Sequence, residues 1–335
     1  MHDIITIGSA TRDVFLMSKA MHPRRTRDAI THIEACFPFG AKINVDEIYF
    51  DTGGGATNNA ATFARLGKFK VAAITRIGDD GSGREILSIL ETDRVETSFV
   101  QKAPHEHTAY STILSPGGEV GERTILVYRG ASRIIDSKKI PWLRLQASWY
   151  HASSLGGDFA LLKKIISHAH SQNGHVAFNP GGQELADPKR LKPLLKNIDL
   201  FFVNREETSK LTGIHFEKTN DLLRALSKLC PFAIMTDGPK GAYVVKYQAS
   251  SIKRQAYYIP SVGHKPKNIT GAGDAFGAGF VTGWIKSKGN IEEALRVASC
   301  NADNVVQFVG AKNGILEKYP SRNTQTKLKI KEIRL

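Results

Sequence analysis

Short apolar runs alternate with helical patterns along most of this 335-residue chain. Runs typical of buried strands lie at 4–7, 71–75, 148–151, 175–178, 200–203 and 232–235. Patterns that predict helices lie at 57–66, 83–90, 159–169, 222–229, 274–287 and 291–308. Strands that alternate with helices favour a mostly parallel sheet covered by helices on both faces. We therefore expect an α/β fold, a three-layer α/β/α sandwich.

Two stretches break this alternation. Residues 14–50 and about 96–130 are richer in turns and in alternating β-prone residues, as at 108–114 and 124–128. We expect both stretches to form a small β-sheet beside the main sheet. Because neither an internal repeat nor a low-complexity linker divides the chain, we expect residues 1–335 to form a single domain.

Composition argues against several classes of protein. Cys36, Cys230 and Cys300 are far apart and form no C-x-x-C pair, so we predict neither a disulfide framework nor a zinc site. No apolar run approaches the length of a membrane span, and the first residues lack a basic signal region. We therefore expect a cytoplasmic protein with no membrane partner.

The net charge of +14 raises the question of nucleic-acid binding. Basic residues are scattered along the chain, and the interleaved aromatic and basic residues of an RNA-binding sheet do not occur. We therefore expect no specific nucleic-acid partner. A basic chain also suits an enzyme whose substrates are anionic nucleotides.

A run of small residues precedes a predicted helix at 270–279, with the sequence TGAGDAFGAG. The unpaired amides and the positive dipole end of a helix attract anions, and small residues such as Gly271, Ala272 and Gly273 let a phosphate approach the backbone. Asp274 beside that phosphate suits a group that accepts a proton from a hydroxyl attacking phosphorus. Alternatively, the run is a tight turn with a capping acid. A dinucleotide fingerprint is disfavoured, because residues 266–269 do not resemble a buried strand.

A second glycine cluster opens the helix predicted at 57–66. Gly54 and Gly55 would let a polyhydroxy ligand approach the backbone, and the Asn58 amide offers both a donor and an acceptor to hydroxyl groups. Asp13, just beyond the first strand, can accept two hydroxyl hydrogen bonds. These four residues are the candidate substrate-binding residues. The alternative is a plain turn with an asparagine near the start of a helix.

Several ordered motifs together resemble those of the ribokinase, or PfkB-type, family of carbohydrate kinases, over nearly the whole chain. The Gly53-Gly54-x-x-x-Asn58 segment resembles the family's sugar-binding glycine pair and asparagine, and Gly271-Ala272-Gly273-Asp274 resembles its anion hole with the catalytic aspartate. Between these two segments lie further matches: Gly78-Asp79-Asp80-x-x-Gly83, Gly121-Glu122-Arg123 of the lid strand, the N-x-x-E motif Asn204–Glu207, and the T-x-G-x-x-G segment from Thr236.

The resemblance implies a ribokinase-like fold, with the small sheet as a lid, and an ATP-dependent kinase acting on a sugar or sugar-like substrate. Asp274 would be the general base, and the backbone of Gly271, Ala272 and Gly273 would bind the transferring phosphate. The implied nucleotide-binding residues are Asn204, Thr236, Gly238 and Gly241. Mg²⁺ would be held by Glu207 through water. The resemblance also implies a homodimer formed through the lids.

Two departures from the family pattern affect the prediction. Asn268, Ile269 and Thr270 stand where many relatives carry D-T-T, and loss of that carboxylate predicts weak or absent dependence on a monovalent cation. Gly55 stands where ribokinases usually carry lysine, which leaves the substrate open.

Two alternatives to a sugar kinase remain. A nucleoside kinase of the same fold is one, because the aromatic residues Phe37, Phe39 and Tyr49 would supply a surface for a base. A catalytically silent sugar-binding regulator is the other. The aspartate at 274 disfavours the regulator, because a silent protein has no use for a base at a phosphate site.

Overall fold

A computed structural model describes residues 1–21, 23–26, 33–38, 40–115, 123–248, 253–322, 324 and 328–335. Its strands are β1 (His2–Ile7), β2 (Thr11–Met17), β3 (Pro23–Arg25), β4 (Ile33–Ala35), β5 (Glu47–Gly53), β6 (Val71–Ile74), β7 (Arg76–Gly78), β8 (Gln101–Ala103), β9 (Ala109–Ser115), β10 (Thr124–Tyr128), β11 (Ala147–Ala152), β12 (His175–Phe178), β13 (Leu200–Asn204), β14 (Phe232–Thr236), β15 (Ala242–Gln248), β16 (Lys253–Ile259) and β17 (Lys331–Ile333). Its helices are α1 (Gly55–Arg65), α2 (Gly81–Thr92), α3 (Phe159–Ser171), α4 (Gly182–Leu185), α5 (Pro188–Leu195), α6 (Arg205–Thr212), α7 (Thr219–Leu229), α8 (Ala272–Lys286) and α9 (Ile291–Val305).

The main sheet has nine strands in the order β17-β16-β15-β14-β13-β12-β11-β1-β6. The strands from β14 to β6 are mutually parallel, as predicted. Sequence analysis missed the three antiparallel strands β15, β16 and β17 at one edge. Only residues 237–241 separate β14 from β15, too few for the crossover that a parallel neighbour requires, so the chain turns back antiparallel.

Helices cover both faces of this sheet. One face packs against α1, α2, α8 and α9 through a core that includes Phe63, Phe276 and Leu295. The other face packs against α3, α5, α6 and α7 through a second core that includes Leu162 and Leu223. Successive strand residues point to opposite faces. The architecture is the predicted three-layer α/β/α sandwich.

The small sheet has four strands in the order β10-β9-β2-β5. Its strands β2 and β5 begin at Thr11 and end at Gly53, so the sheet extends beyond the predicted segment 14–50. Residues 101–103 pair instead with β7, beside the main sheet. Gly121 and Glu122 of the predicted lid motif, and Phe39 of the predicted aromatic surface, lie outside the described residues.

The carboxyl ends of the parallel strands place the motifs. Gly8 and Ser9 follow β1, Ser153 follows β11, and Asn204 is the last residue of β13. Parallel strands end at the same edge of a sheet, where ligands bind in open α/β folds. In the described part of the chain, every helix is too short or too polar to cross a bilayer.

Candidate active site

The small-residue run at 271–273 forms the start of α8, as predicted. Gly271 caps the helix in the left-handed conformation, with φ 79° and ψ −2°. A Cβ atom at Gly271 would lie 2.5 Å from the Cβ of Ala311, so both the conformation and the space require glycine. A Cβ atom built at Gly273 would have open space around it among the described residues. The Ala272 amide already donates to Ile269 O at 3.3 Å, so the helix end is open to an anion on the side of Gly273.

The Asp274 side chain lies in the first turn of α8 and is joined to α1 by hydrogen bonds. Asn58 Nδ2 donates to Asp274 Oδ2 at 2.8 Å, and Asn59 Nδ2 lies 3.5 Å from Asp274 Oδ1. The structure thus brings the predicted base against the helix predicted to bind substrate. Burial raises the pKa of the Asp274 carboxyl, although the bond from Asn58 and the charge of Lys312 oppose the rise. A higher pKa makes the carboxylate a stronger proton acceptor.

Two carbonyl oxygens beside Asp274 are left without partners. The Oδ1 atoms of Asn58 and Asn59 are buried, and no hydrogen bond reaches them from the described residues. Asn59 uses its amide nitrogen to bond Gly55 O at 2.6 Å, at the start of α1. Buried polar atoms without partners are uncommon, so these two oxygens are suited to accept hydrogen bonds from a bound hydroxyl group.

The Asp13 carboxylate lies on β2, 5% exposed, beside the glycine cluster. Thr11 Oγ1 donates to Asp13 Oδ1 at 2.9 Å, and a Cβ at Gly53 would collide with the other carboxylate oxygen. Burial raises the pKa of Asp13, while the bond from Thr11 and the charge of Lys312 lower it. Gly54 is the N-terminal cap of α1, with φ 92°.

Gly55 leaves no room for a side chain in this structure. A Cβ there would collide with Ser153 Oγ and would lie 3.7 Å from Asp274 Oδ1. The four predicted substrate-binding positions, Asp13, Gly54, Gly55 and Asn58, therefore gather around the same end of α1 as Asp274. The Ser153 side chain occupies the space that a side chain at position 55 would need.

The predicted nucleotide and metal residues of the N-x-x-E motif bond to each other. Asn204 Oδ1 accepts from Glu207 N at 2.8 Å, and Glu207 Oε2 accepts from Asn204 N at 2.8 Å, which forms a capping box at the start of α6. Burial raises the pKa of Glu207, and the negative charge of Asp274 adds to the rise. The carboxylate thus lies within electrostatic reach of the base and keeps acceptor capacity for a water bound to Mg²⁺. The carboxylate of Glu207 therefore fits the predicted contact with Mg²⁺ through water.

The T-x-G-x-x-G segment forms a tight turn between β14 and β15. Thr236 pairs with Ala242 across the turn, and Asp237 N donates to Gly241 O at 2.8 Å. Gly238 is exposed on the surface of this turn, with φ 52°. Thr236, Gly238, Gly241 and Asn204 thus lie at the ends of the neighbouring strands β13 and β14, where the resemblance places the nucleotide.

An ion pair that sequence analysis missed joins these two motifs. Arg205 contacts both carboxylate oxygens of Asp237 at 2.6 Å and donates to Phe216 O at 2.7 Å. Both charged side chains are largely buried, at 14% and 8% exposure. The sequence shows a positive charge in one motif and a negative charge in the other, but only the fold shows that Arg205 and Asp237 form an ion pair.

The G-D-D-x-x-G motif is structural in the part of the chain that is described. Asp80 caps α2 by accepting from Gly83 N at 2.8 Å. Its carboxylate also accepts from the amide and hydroxyl groups of Thr108, at 2.8 and 2.6 Å. The motif therefore fixes the chain just before β9, a strand of the small sheet.

Lys312 is a second feature that sequence analysis missed. Its side chain is 2% exposed, and its Nζ donates to the carbonyl and, at 3.0 Å, to the hydroxyl of Thr52. Thr52 directly precedes the glycine cluster on β5. No motif marks Lys312 in the sequence, because a lone lysine is ordinarily a surface residue.

Residues 268–270, which stand where many relatives carry D-T-T, are held by a local hydrogen bond. Asn268 is buried, and its Oδ1 accepts from Thr270 N at 2.9 Å. The amide oxygen that stands in place of the lost carboxylate therefore already accepts one hydrogen bond in a turn. Within the described residues, no group of three or more His, Cys, Asp or Glu side chains has the arrangement of a metal site.

Comparisons with known proteins find similar kinases. The sequence pattern of the pfkB family of carbohydrate kinases matches residues 1–318. A cytidine kinase from Thermococcus kodakarensis is 28% identical over 280 residues, which cover 80% of this chain and 95% of that protein. A ribokinase from Bacillus subtilis is 26% identical over 281 residues, 81% of this chain and 85% of that protein. The structure of Arabidopsis thaliana ribokinase complexed with ribose and ATP has a similar fold, with a TM-score of 0.72, 22% identity and coverage of 97% and 98%.

Proposed function

The chain belongs to the pfkB family of carbohydrate kinases, and from this premise we propose that it transfers the γ-phosphoryl group of ATP to a hydroxyl group of a sugar or sugar-like substrate. Membership makes it a phosphotransferase with an alcohol group as acceptor. The observation that carries the finer proposal is the 2.8 Å hydrogen bond between Asn58 Nδ2 and Asp274 Oδ2. This bond joins the helix that would hold the sugar to the carboxylate at the phosphate-binding helix end.

In the proposed reaction, Asp274 accepts the proton of the acceptor hydroxyl as its oxygen attacks the γ-phosphorus in line. The bond from phosphorus to the bridging oxygen breaks, and ADP leaves with that electron pair. Backbone amides of residues 271–273 stabilise the charge on the transferring group. Asp13 and Asn58 hold the other hydroxyl groups, and Asp274 then releases its proton to solvent.

Mg²⁺ bound with ATP would neutralise charge on the phosphates during the transfer. Glu207 would hold the ion through water, since one of its oxygens already bonds Asn204 N. Asn204, Thr236, Gly238 and Gly241 would line the nucleotide. A cytoplasmic location remains a prediction.

The test is ADP production from ATP and Mg²⁺ over pentoses, hexoses, sugar phosphates, keto-deoxy sugar acids and nucleosides. We expect turnover on at least one compound, and a loss of about 100- to 10,000-fold in Asp274→Asn, the range expected for removal of a general base. Asp221→Asn, an exposed carboxylate on α7, is the control and keeps wild-type turnover. Turnover that survives in Asp274→Asn would overturn the proposed role of the base.

A nucleoside is the second candidate substrate. The similarity to a cytidine kinase favours it. Phe37 and Tyr49, at 39% and 37% exposure, are aromatic residues of the first lid segment that would be available to a base. Preferred turnover of a nucleoside over free pentoses in the same panel would decide for it, and Tyr49→Ser should then raise KM for the nucleoside but leave KM for ATP unchanged.

We also propose a homodimer formed through the small sheets. The edge strands β5 and β10 carry large apolar side chains that are more than half exposed, namely Ile48, Phe50, Leu126, Val127 and Tyr128. Exposed edge strands with apolar side chains are open to pairing, and a second copy would cover them. Sedimentation at micromolar concentration should show a dimer for the wild type and a monomer for Ile48→Lys with Leu126→Lys. A wild-type monomer would contradict the proposal.

A further inference from the structure

Lys312 is the only lysine of the described residues that is buried from solvent. The segment that carries it is fixed on two sides. Ala311 N donates to Asp51 Oδ2 at 3.1 Å, and Arg65 Nη1 donates to Lys312 O at 2.9 Å. The backbone that carries the Lys312 side chain is therefore fixed next to β5 and α1.

A buried ammonium is costly unless opposite charges and hydrogen bonds compensate it. Burial lowers the pKa of Lys312, and the negative charges of Asp51, Asp13 and Asp274 act in the opposite direction. Two oxygen atoms of Thr52 accept hydrogen bonds from its Nζ. The compensation therefore comes from these two acceptors and from the three carboxylates.

The position of Thr52 connects this cation with the reaction site. Thr52 is followed by Gly53, which lies against the Asp13 carboxylate, and then by Gly54 and Gly55 at the start of α1. Asp274 lies at the same end of α1 through its bond from Asn58. Lys312 thus contacts the residue that directly precedes the glycine cluster.

We propose that Lys312 is a fixed internal counter-cation, which keeps the carboxylates of Asp13 and Asp274 ionised. Ionised Asp13 accepts hydrogen bonds from substrate hydroxyl groups, and ionised Asp274 accepts the proton. Lys312 is a positioning residue, since it acts through these two side chains. The inference depends on the proposed function, in which Asp274 is the base.

The need for such a cation follows from the desolvation of both carboxyl groups. Desolvation raises the pKa of Asp13 and of Asp274. A protonated Asp274 cannot accept the proton, and a protonated Asp13 has less acceptor capacity for substrate hydroxyl groups. The positive charge of Lys312 lowers both pKa values. The charged groups that face Lys312 are Asp13 on β2, Asp51 on β5, Asp274 on α8 and Arg65 on α1. Arg65 is itself paired with Asp93, at 2.7 and 2.9 Å.

The test compares Lys312→Met with Lys318→Met, which removes an exposed lysine from the same segment. The readout is kcat/KM for the acceptor as a function of pH. Loss of Lys312 should move the acid limb to higher pH, because the pKa values of both carboxyls rise. The loss of kcat/KM should be at least about tenfold greater on the acid limb than on the plateau, since removal of an opposite charge raises the pKa of a carboxyl by roughly 1–3. Lys318→Met should keep the wild-type profile.

A merely structural role would lower kcat/KM by the same factor at every pH, and that result would overturn the proposal. If Lys312→Met does not fold, Asp51→Asn provides the test with the opposite sign. Asp51 raises the pKa of Asp13, so its loss should move the acid limb to lower pH. An unmoved limb in Asp51→Asn would then count against the charge cluster.

The double variant Lys312→Met with Asp51→Asn removes one charge of each sign. Its acid limb should lie between those of the two single variants, and a limb outside that interval would contradict the account. Failure of the proposed function has a separate signature. It would appear as turnover that survives in Asp274→Asn, whatever the pH profile of Lys312→Met.

Discussion

The substrate side and the nucleotide side of the site differ in how their polar groups are satisfied. Around Asp274, the carbonyl oxygens of Asn58 and Asn59 are buried without partners in the described structure. Around the N-x-x-E motif, Asn204 and Glu207 bond reciprocally. The substrate side thus keeps hydrogen-bonding capacity for a ligand, whereas the nucleotide side uses part of its motif to hold its own backbone. Substitutions should therefore reduce turnover on the first side and change stability or ATP affinity on the second.

Among the substitutions that test this contrast, Asn58→Ala should cause the largest loss of kcat/KM. The substitution removes the 2.8 Å hydrogen bond that orients Asp274. It also removes a side chain that is a candidate to bind the substrate. We expect kcat/KM to fall on the order of 100-fold, the loss that follows a small misplacement of a catalytic group. Steady-state kinetics with the identified substrate measures it.

Asn59→Ala is the matched comparison for this substitution. Asn59 contacts Asp274 only at 3.5 Å and mainly holds Gly55 O at the helix start. It should therefore lose less kcat/KM than Asn58→Ala, although its Oδ1 is also a candidate acceptor for a substrate hydroxyl group. Equal losses of kcat/KM in the two variants would show that the bond to Asp274 has no special orienting role.

Arg205→Met tests the nucleotide side. Its removal leaves the largely buried Asp237 carboxylate without its partner, so the free energy of unfolding should fall by roughly 3 kcal/mol, the low end of the range for a buried pair. Arg224→Met, which breaks the exposed pair with Asp221, should cost less than about 1 kcal/mol. Denaturant unfolding measures both. At saturating ATP, kcat of Arg205→Met should stay near the wild-type value, and a collapse like that of Asn58→Ala would contradict the comparison.

His151 lies in the core between the substrate side and the nucleotide side, where its ring packs against Phe63 of α1 and Phe202 of β13. Burial lowers its pKa from 6.5 to about 3. The neutral ring therefore contributes stability that is present above pH 6.5 and is lost as pH falls through about 3.

In His151→Leu, the drop in unfolding free energy between pH 7 and pH 4.5 should shrink by on the order of 2 kcal/mol. Replacement of the exposed His215 by Leu is the control and should leave the pH dependence unchanged. An unaltered pH dependence in His151→Leu would show that the ring is not the acid-sensitive group.

The smallest effect should be that of a monovalent cation. Asn268 replaces the carboxylate of the family pattern, and its side-chain oxygen already accepts from Thr270 N. Replacing sodium by potassium should change the rate little, as measured by ADP production at constant ionic strength. A large increase with potassium would contradict the prediction.

Local signals in the sequence accounted for much of the fold. The buried parallel strands and their helices could be predicted from the sequence, because each has its own apolar periodicity. The antiparallel strand β15 could not be predicted, because its direction depends on the short turn after β14. The glycines and Asp274 were readable because a helix start has a fixed chemistry.

Contacts between distant segments were not readable in the same way. Asn58 and Asp274 are 216 positions apart, and the family motifs alone predicted one site for both. Lys312 and the pair of Arg205 with Asp237 depend on which segments the fold brings together. No local pattern encodes a buried lysine whose counter-charges lie on three other elements.

The most direct test of the account measures ATP affinity and turnover together in Asp274→Asn. If Asp274 is the base beside the phosphate, calorimetric ATP binding should be as tight as in the wild type or tighter, because a negative charge near the phosphates is removed. Turnover should nevertheless fall by about 100-fold or more. A fall in turnover no larger than a fall in ATP affinity would show that Asp274 serves binding and would contradict the account.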